Sequence, residues 1–191
     1  RMVAVSGHVK RPGVYEIING STTFRDIIYG DEFSQGIRDD NDLKAFVPGG
    51  GSAPWFVEDQ LDIPFEGKEA GAAGSMLGSG AIMVMDSTTD IPHAAYTLTK
   101  FYAHESCGKC TPCREGGTWL MRMLERVIAG YGTDADLDQM REVGQTICPG
   151  DMPHASSKRL GLEAVPFPYK MTTICFVGPS AWAPLHSALT L

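Results

Sequence analysis

Positive charge is scarce in this chain. Lys and Arg number 16 against 23 Asp and Glu, a net charge of −7. No basic patch stands out, which argues against a nucleic-acid partner. Long apolar runs are missing too. None approaches the ~18 residues that a membrane-spanning helix needs, so no direct membrane insertion is expected. Arg1-Met2 leads straight into a strand-like pattern, and no signal peptide is expected there. Cysteines are few and odd in number, five in 191 residues. Three are crowded together, which fits a reducing compartment and a metal site better than a disulfide framework. A G-x-G-x-x-G frame is also lacking. "GSMLGSG" (74–80) precedes a strand instead of following one, and Met83 stands where the third glycine would be. It reads as a hairpin or connecting loop, and the triple glycine at 49–51 reads as a turn.

What is present is ordinary globular material, 43% hydrophobic and 20% charged. "VAVSGHVKRPGVYEII" (3–18) predicts two strands around the turn Lys10-Arg11-Pro12-Gly13. "STTFRDIIYGDEF" predicts a short helix, with Ser21 or Thr22 as cap and Phe24, Ile27 and Ile28 on one face. "LKAFV" and "AIMVMD" (81–86) read as further strands. This is the element order of a β-grasp, ubiquitin-like domain, placed at residues 1–88. Residues 89–191 read as a helical bundle, so the expected fold class is α+β. Its first helix carries Ile91, Ala94, Ala95, Leu98, Phe101 and Tyr102 on one face, with Asp90 as cap and Pro92 in the first turn. A second starts near Pro112, with Trp119, Leu120, Met123, Leu124, Val127 and Ile128 as its buried stripe. A third spans about 134–143, and a last begins near Pro179-Ser180. Residues 149–170 are proline-rich and irregular. The chain stops at Leu191 in mid-pattern, which suggests a fragment.

The chemistry is concentrated in "HESCGKCTPCREG" (104–116). Cys107, Cys110 and Cys113 form a C-x2-C-x2-C run. A cubane iron–sulfur cluster takes one thiolate per iron, and such a run reaches three of its corners. A ferredoxin-type run would add a fourth Cys four residues on, but Gly117 is there. The fourth ligand must come from elsewhere, from Cys148 or Cys175. Zinc usually takes its ligands from two separate pairs, so a zinc site completed by His104 or a distant Cys is the weaker alternative. Three buried structural thiols at this spacing by chance are weaker still, and so is a dithiol redox motif, because no thioredoxin-like βαβ pattern surrounds the run. Lys109 and Arg114 either offset cluster charge or simply face solvent. His104 is read first as a helix-end cap.

"AHESCGKCTPCREG", with "AGSMLGSGAIMVMD" before it and "TTICFVGPSAWAPLHSAL" after it, resembles the NADH-binding flavoprotein of respiratory complex I, its F component. "VSGHVKRPGVYE" and "LKAFVPGGGSAPW" resemble the ubiquitin-like (SLBB) domain that precedes the cluster domain in that family. The resemblance implies a [4Fe–4S] cluster on Cys107, Cys110, Cys113 and a fourth Cys in a Thr-Ile-Cys-x-x-Gly segment. Thr173-Ile174-Cys175 continues to Gly178 in that spacing, whereas Pro149-Gly150 after Cys148 breaks it. The expected set is therefore Cys107, Cys110, Cys113 and Cys175, with 149–170 a probable insertion. FMN and NADH would bind only a preceding domain, so no catalytic, FMN or NADH residue is expected in this chain. The implied role is electron transfer from reduced FMN to the next iron–sulfur subunit of an NADH:quinone oxidoreductase. The implied partners are a 2Fe–2S subunit and a large iron–sulfur subunit, in a cytoplasmic assembly peripheral to the inner membrane. A diaphorase subunit of a soluble hydrogenase or formate dehydrogenase is the alternative within the same chemistry. A zinc-stapled interaction module is the alternative outside it.

Overall fold

A computed structural model describes residues 1–149 and 170–191 of the chain. The described residues form two compact units, Arg1–Thr89 and 90–149 with 170–191. The expected segment 149–170 lies almost wholly outside the described residues.

In the first unit, alternation builds the sheet. Strand β1 (Met2–Gly7) buries Val3 and Val5 on one face and exposes the residues between them. It pairs antiparallel with β2 (Gly13–Glu16) and parallel with β4 (Ala81–Asp86), and β4 pairs antiparallel with β3 (Leu43–Val47). The order is β2-β1-β4-β3, so the first and last strands of the unit lie side by side. Helix α1 (Phe24–Tyr29) begins at a capping box. Thr23 accepts from the Asp26 N–H, and the Asp26 carboxylate accepts from the Thr23 N–H. The box turns Phe24, Ile27 and Ile28 into the core, all three fully buried. Phe24 touches Phe46, Phe56 and Phe65 with ring centroids 5.2, 5.6 and 5.4 Å apart. Each such ring contributes roughly 1.5–3 kcal/mol on burial. A short helix α2 (Gly67–Ala72) lies in the Gly- and Ala-rich stretch, where periodicity is too brief to announce a helix. The glycines at 49–51 do form a turn, closed by the Ala53 N–H donating to the Gly50 carbonyl at 2.9 Å and tied to the segment before β4. The Gly49 carbonyl accepts from the Ser79 N–H, and the Gly50 N–H donates to the Ala81 carbonyl.

The second unit is helical. Asp90 caps α3 (Ile91–Glu105) through the His93 N–H at 3.0 Å. Then follow α4 (Thr111–Ile128), α5 (Asp134–Ile147) and, after 170–176, α6 (Val177–Ala188). Helix α3 packs on α4 and α6, and α4 packs on α5. On α4 the buried face is Cys113, Gly116, Gly117, Leu120, Met123 and Leu124. Trp119, expected in that stripe, is 55% exposed. Successive residues turn about 100° around a helix, and with Gly116 and Gly117 set against α5 and α3, Trp119 falls outside the arc. Phe101 on α3 is likewise exposed rather than inward, and Val127 and Ile128 are only half-buried. Helix α5 runs to Ile147, past the expected end at Val143. Gly144 lies inside it because Trp182 of α6 occupies the space where a side chain would be. Helix α6 starts at Val177, slightly before the expected Pro179.

Candidate metal centre

Helix α3 ends at Glu105, and Ser106 is its C-cap. The chain then reverses through Cys107-Gly108-Lys109. Gly108 makes this possible, with φ at +78°, a left-handed value that costs other residues free energy. Arg114 secures the turn from the next helix, its Nη1 donating to the Gly108 carbonyl at 2.8 Å. Its Nε pairs with Glu115 at 2.7 Å. Cys110 is the N-cap of α4 and Cys113 lies in its first turn. The C-x2-C-x2-C spacing therefore places one thiol in a turn, one at a helix cap and one on the buried helix face. Cys107 is exposed, Cys110 half-buried and Cys113 8% exposed.

Cys175 comes from far downstream in the sequence and precedes the α6 N-cap, Phe176. It is exposed. Its loop is held on both sides. Thr172 donates its N–H to the Ile147 carbonyl at 3.0 Å and its hydroxyl to the Thr146 carbonyl at 2.6 Å. Thr173 donates its hydroxyl to the Cys175 carbonyl at 2.8 Å. The Ile174 N–H points at the Cys110 sulfur, 3.4 Å away. The residue next to Cys175 thus touches the sulfur in the middle of the cysteine run. Two helices, α4 and α6, begin here, and their N-terminal dipoles favour negative charge.

Cys148 lies elsewhere in character. It is the C-cap of α5, 1% exposed, and burial pushes its thiol up to about 11. That environment favours a neutral thiol over a thiolate. His104 is on the exposed last turn of α3 and pairs with Glu105 at 3.1 Å. Among the described residues no three His, Cys, Asp or Glu side chains converge on a point that would hold a single ion. A cubane makes a different demand, because four irons spread over four thiolates. The donor set at 107, 110, 113 and 175 suits iron–sulfur chemistry: all sulfur, with a backbone N–H already aimed at one sulfur. Sequence reasoning did not find Ser106, whose hydroxyl lies 3.3 Å from the Cys113 sulfur. A lone serine before a cysteine gives no spacing signal.

Comparison with known proteins bears on the same residues. Residues 93–191 match the family described as the NADH-ubiquinone oxidoreductase-F iron-sulfur binding region. The F component of the NADH-quinone oxidoreductase of Streptomyces coelicolor is 44% identical over 146 residues, which covers 76% of this chain and 32% of that protein. Its counterpart in Rickettsia bellii is 41% identical over 157 residues, covering 78% and 36%. The chain thus spans about a third of the length of these curated relatives. Among solved structures, an NAD+-reducing [NiFe]-hydrogenase in the H2-reduced state matches with a TM-score of 0.73 at 25% identity. The match covers 98% of this chain and 26% of that one. The matched family region contains the whole cysteine run, Cys175 and the helices that carry them, and the chain belongs to that iron–sulfur binding family.

Proposed function

We propose that Cys107, Cys110, Cys113 and Cys175 hold a [4Fe–4S] cluster, and that the chain serves electron transfer in an NADH:quinone oxidoreductase. In this reading it lies between FMN, reduced by NADH on a domain outside this chain, and the next iron–sulfur subunit. Its partners are then a 2Fe–2S subunit and a large iron–sulfur subunit of a cytoplasmic assembly peripheral to the inner membrane. Among the described residues no helix is long and apolar enough to cross a membrane. The first unit is read as a β-grasp, SLBB-like domain spanning 1–88, with the cluster domain at 89–191. The adjacent parallel β1 and β4 in the order β2-β1-β4-β3 support that assignment.

One observation carries the ligand set: the Ile174 N–H to Cys110 Sγ contact at 3.4 Å. It brings the Cys175 loop to the cysteine run, while the buried Cys148 thiol resists ionisation. When bound, the cluster supplies one-electron redox chemistry. The chain's residues position four thiolates, present the Ile174 N–H to the Cys110 sulfur, and shield Cys113 from water on the α4 face. Substituting each candidate separately tests this. Cys175→Ser is expected to lose the [4Fe–4S] signal or leave an unstable three-iron remnant. Cys148→Ser is expected to keep iron content and the reduced-state EPR spectrum. The opposite pattern would exchange the two assignments.

The fold match to the NAD+-reducing hydrogenase favours a second reading, a diaphorase subunit of a soluble hydrogenase. Purification of the native assembly separates the two. Copurifying quinone-reductase subunits support the first, and a copurifying nickel–iron subunit supports the second.

A further inference from the structure

We infer that Ser106 is a positioning residue for the cluster, donating its hydroxyl proton to the Cys113 sulfur and raising the cluster's reduction potential. The inference rests on the proposed assignment of Cys113 as a ligand. The Ser106 hydroxyl and the Cys113 sulfur are 3.3 Å apart, and as a free thiol either could be the donor. Ligation removes that ambiguity. A thiolate bound to iron carries no proton, so the hydrogen between the two atoms must be the serine's. The other side of the hydroxyl oxygen faces the Gly108 N–H, 3.4 Å away. That donor takes an acceptor position on the oxygen and leaves the O–H free to point at sulfur.

The surrounding loop fixes this arrangement. Gly108 donates its N–H back to the Ser106 hydroxyl oxygen, and its φ of +78° then turns the chain toward Cys110. Arg114 holds the same loop from the other side through the Gly108 carbonyl. Ser106 is half-buried and Cys113 is 8% exposed, so water competes weakly for the contact. A chain of donors thus runs from Gly108 N–H through Ser106 O–H to sulfur, and such chains strengthen each member. Reduction adds negative charge to the cluster, and a hydrogen bond to sulfur stabilises the more negative state. The consequence is a potential higher than the same cluster would have without Ser106.

The test is a reductive titration of the intact, cluster-loaded protein followed by EPR. Ser106→Ala is expected to keep four irons and lower the midpoint potential. The reduction equilibrium should change roughly three- to tenfold, the scale of the net contribution of one ordinary hydrogen bond. At 59 mV per tenfold for one electron that is about 30–60 mV. Ser106→Thr, which keeps the hydroxyl, is expected to restore the wild-type potential. An unchanged potential in a fully loaded Ser106→Ala protein would overturn the inference while leaving the cluster assignment intact. A wild-type protein without a cluster, or a Cys113→Ala protein that retains one, would overturn the assignment itself. If Ser106→Ala takes up no iron, wild-type protein is reduced and then mixed with D2O. A cluster-coupled proton lost within seconds supports the hydroxyl donor, since hydroxyl protons exchange faster than hydrogen-bonded amides. No such proton overturns it.

Discussion

Asp86 is a carboxylate with no exposed surface at the end of β4. Burial by itself would raise its carboxyl pKa. Hydrogen bonds outweigh that: the Thr88 N–H and hydroxyl donate to it at 3.0 and 2.6 Å, and Asn41 Nδ2 donates at 3.0 Å. His8 Nδ1 lies 2.6 Å away and Arg38 Nε 3.8 Å. Together they hold the carboxyl well below the ordinary carboxylate range. A folded-state pKa below the unfolded value adds stability at pH above the unfolded value. That stability is lost as pH falls through the folded one. Asp86→Asn is therefore expected to lower Tm by several degrees at pH 7. The difference from wild type should shrink as pH falls below about 4, the unfolded range of a carboxyl. A pH series of thermal melts checks both points. A constant difference down to pH 2 would show that shape rather than charge matters here. Nothing in the sequence singled out Asp86, because its partners come from positions 8, 38, 41 and 88. The cysteine run was legible for the opposite reason, since its spacing is local and its chemistry is narrow.

Helix and strand positions followed from periodicity where a face was long enough to declare itself. The Asp90 cap is the expected one, whereas the first helix is capped by Thr23, just after the expected Ser21 or Thr22. Two departures in the helical half share one cause, contact with a distant element. Trp119 sits on α4 but outside the arc chosen by α3 and α5. Gly144 looks like a helix stop, yet α5 continues through it because α6 presents Trp182 there. A Cβ at Gly144 would lie 2.2 Å from the Trp182 indole. Glycine inside a helix normally costs up to about 1 kcal/mol relative to alanine. Gly144→Ala should invert that sign and destabilise the protein by roughly 1–3 kcal/mol, as overpacking does. Gly71 in α2 is the control. A Cβ there meets nothing within 4 Å, so Gly71→Ala should stabilise slightly, by about 0.5 kcal/mol. Denaturant melts of the two variants read the pair. Stabilisation by both would mean that Trp182 yields without cost.

At the scale of the whole molecule, the two halves draw on different chemistry. In the first, the buried cluster runs from Val3 and Val5 through Phe24, Ile27, Phe46, Phe56 and Phe65 to Ile82 and Val84. All of these precede Asp90, so the cluster uses nothing from the helical half among the described residues. The first and last strands of this unit pair directly, which closes the sheet before α3 begins. Thr88 and Thr89 fold back onto Asp86, and Lys44 Nζ donates to the Thr89 carbonyl at 2.6 Å. Those contacts end the unit at a capped boundary. The unit Arg1–Thr89 is small, and domains bury less of their unfolded surface as they shrink, ~60% at about 60 residues, where stability is marginal. Its aromatic density and paired terminal strands argue that it clears the threshold. Residues 1–89 expressed alone are therefore expected to unfold in one cooperative denaturant transition, with coincident fluorescence and circular-dichroism curves. Trp55, fully buried in this half, supplies the fluorescence signal. A broad, non-coincident transition would mean that the sheet depends on the helical half. Iron content should follow residues 90–191 in the same experiment, because every proposed ligand lies there.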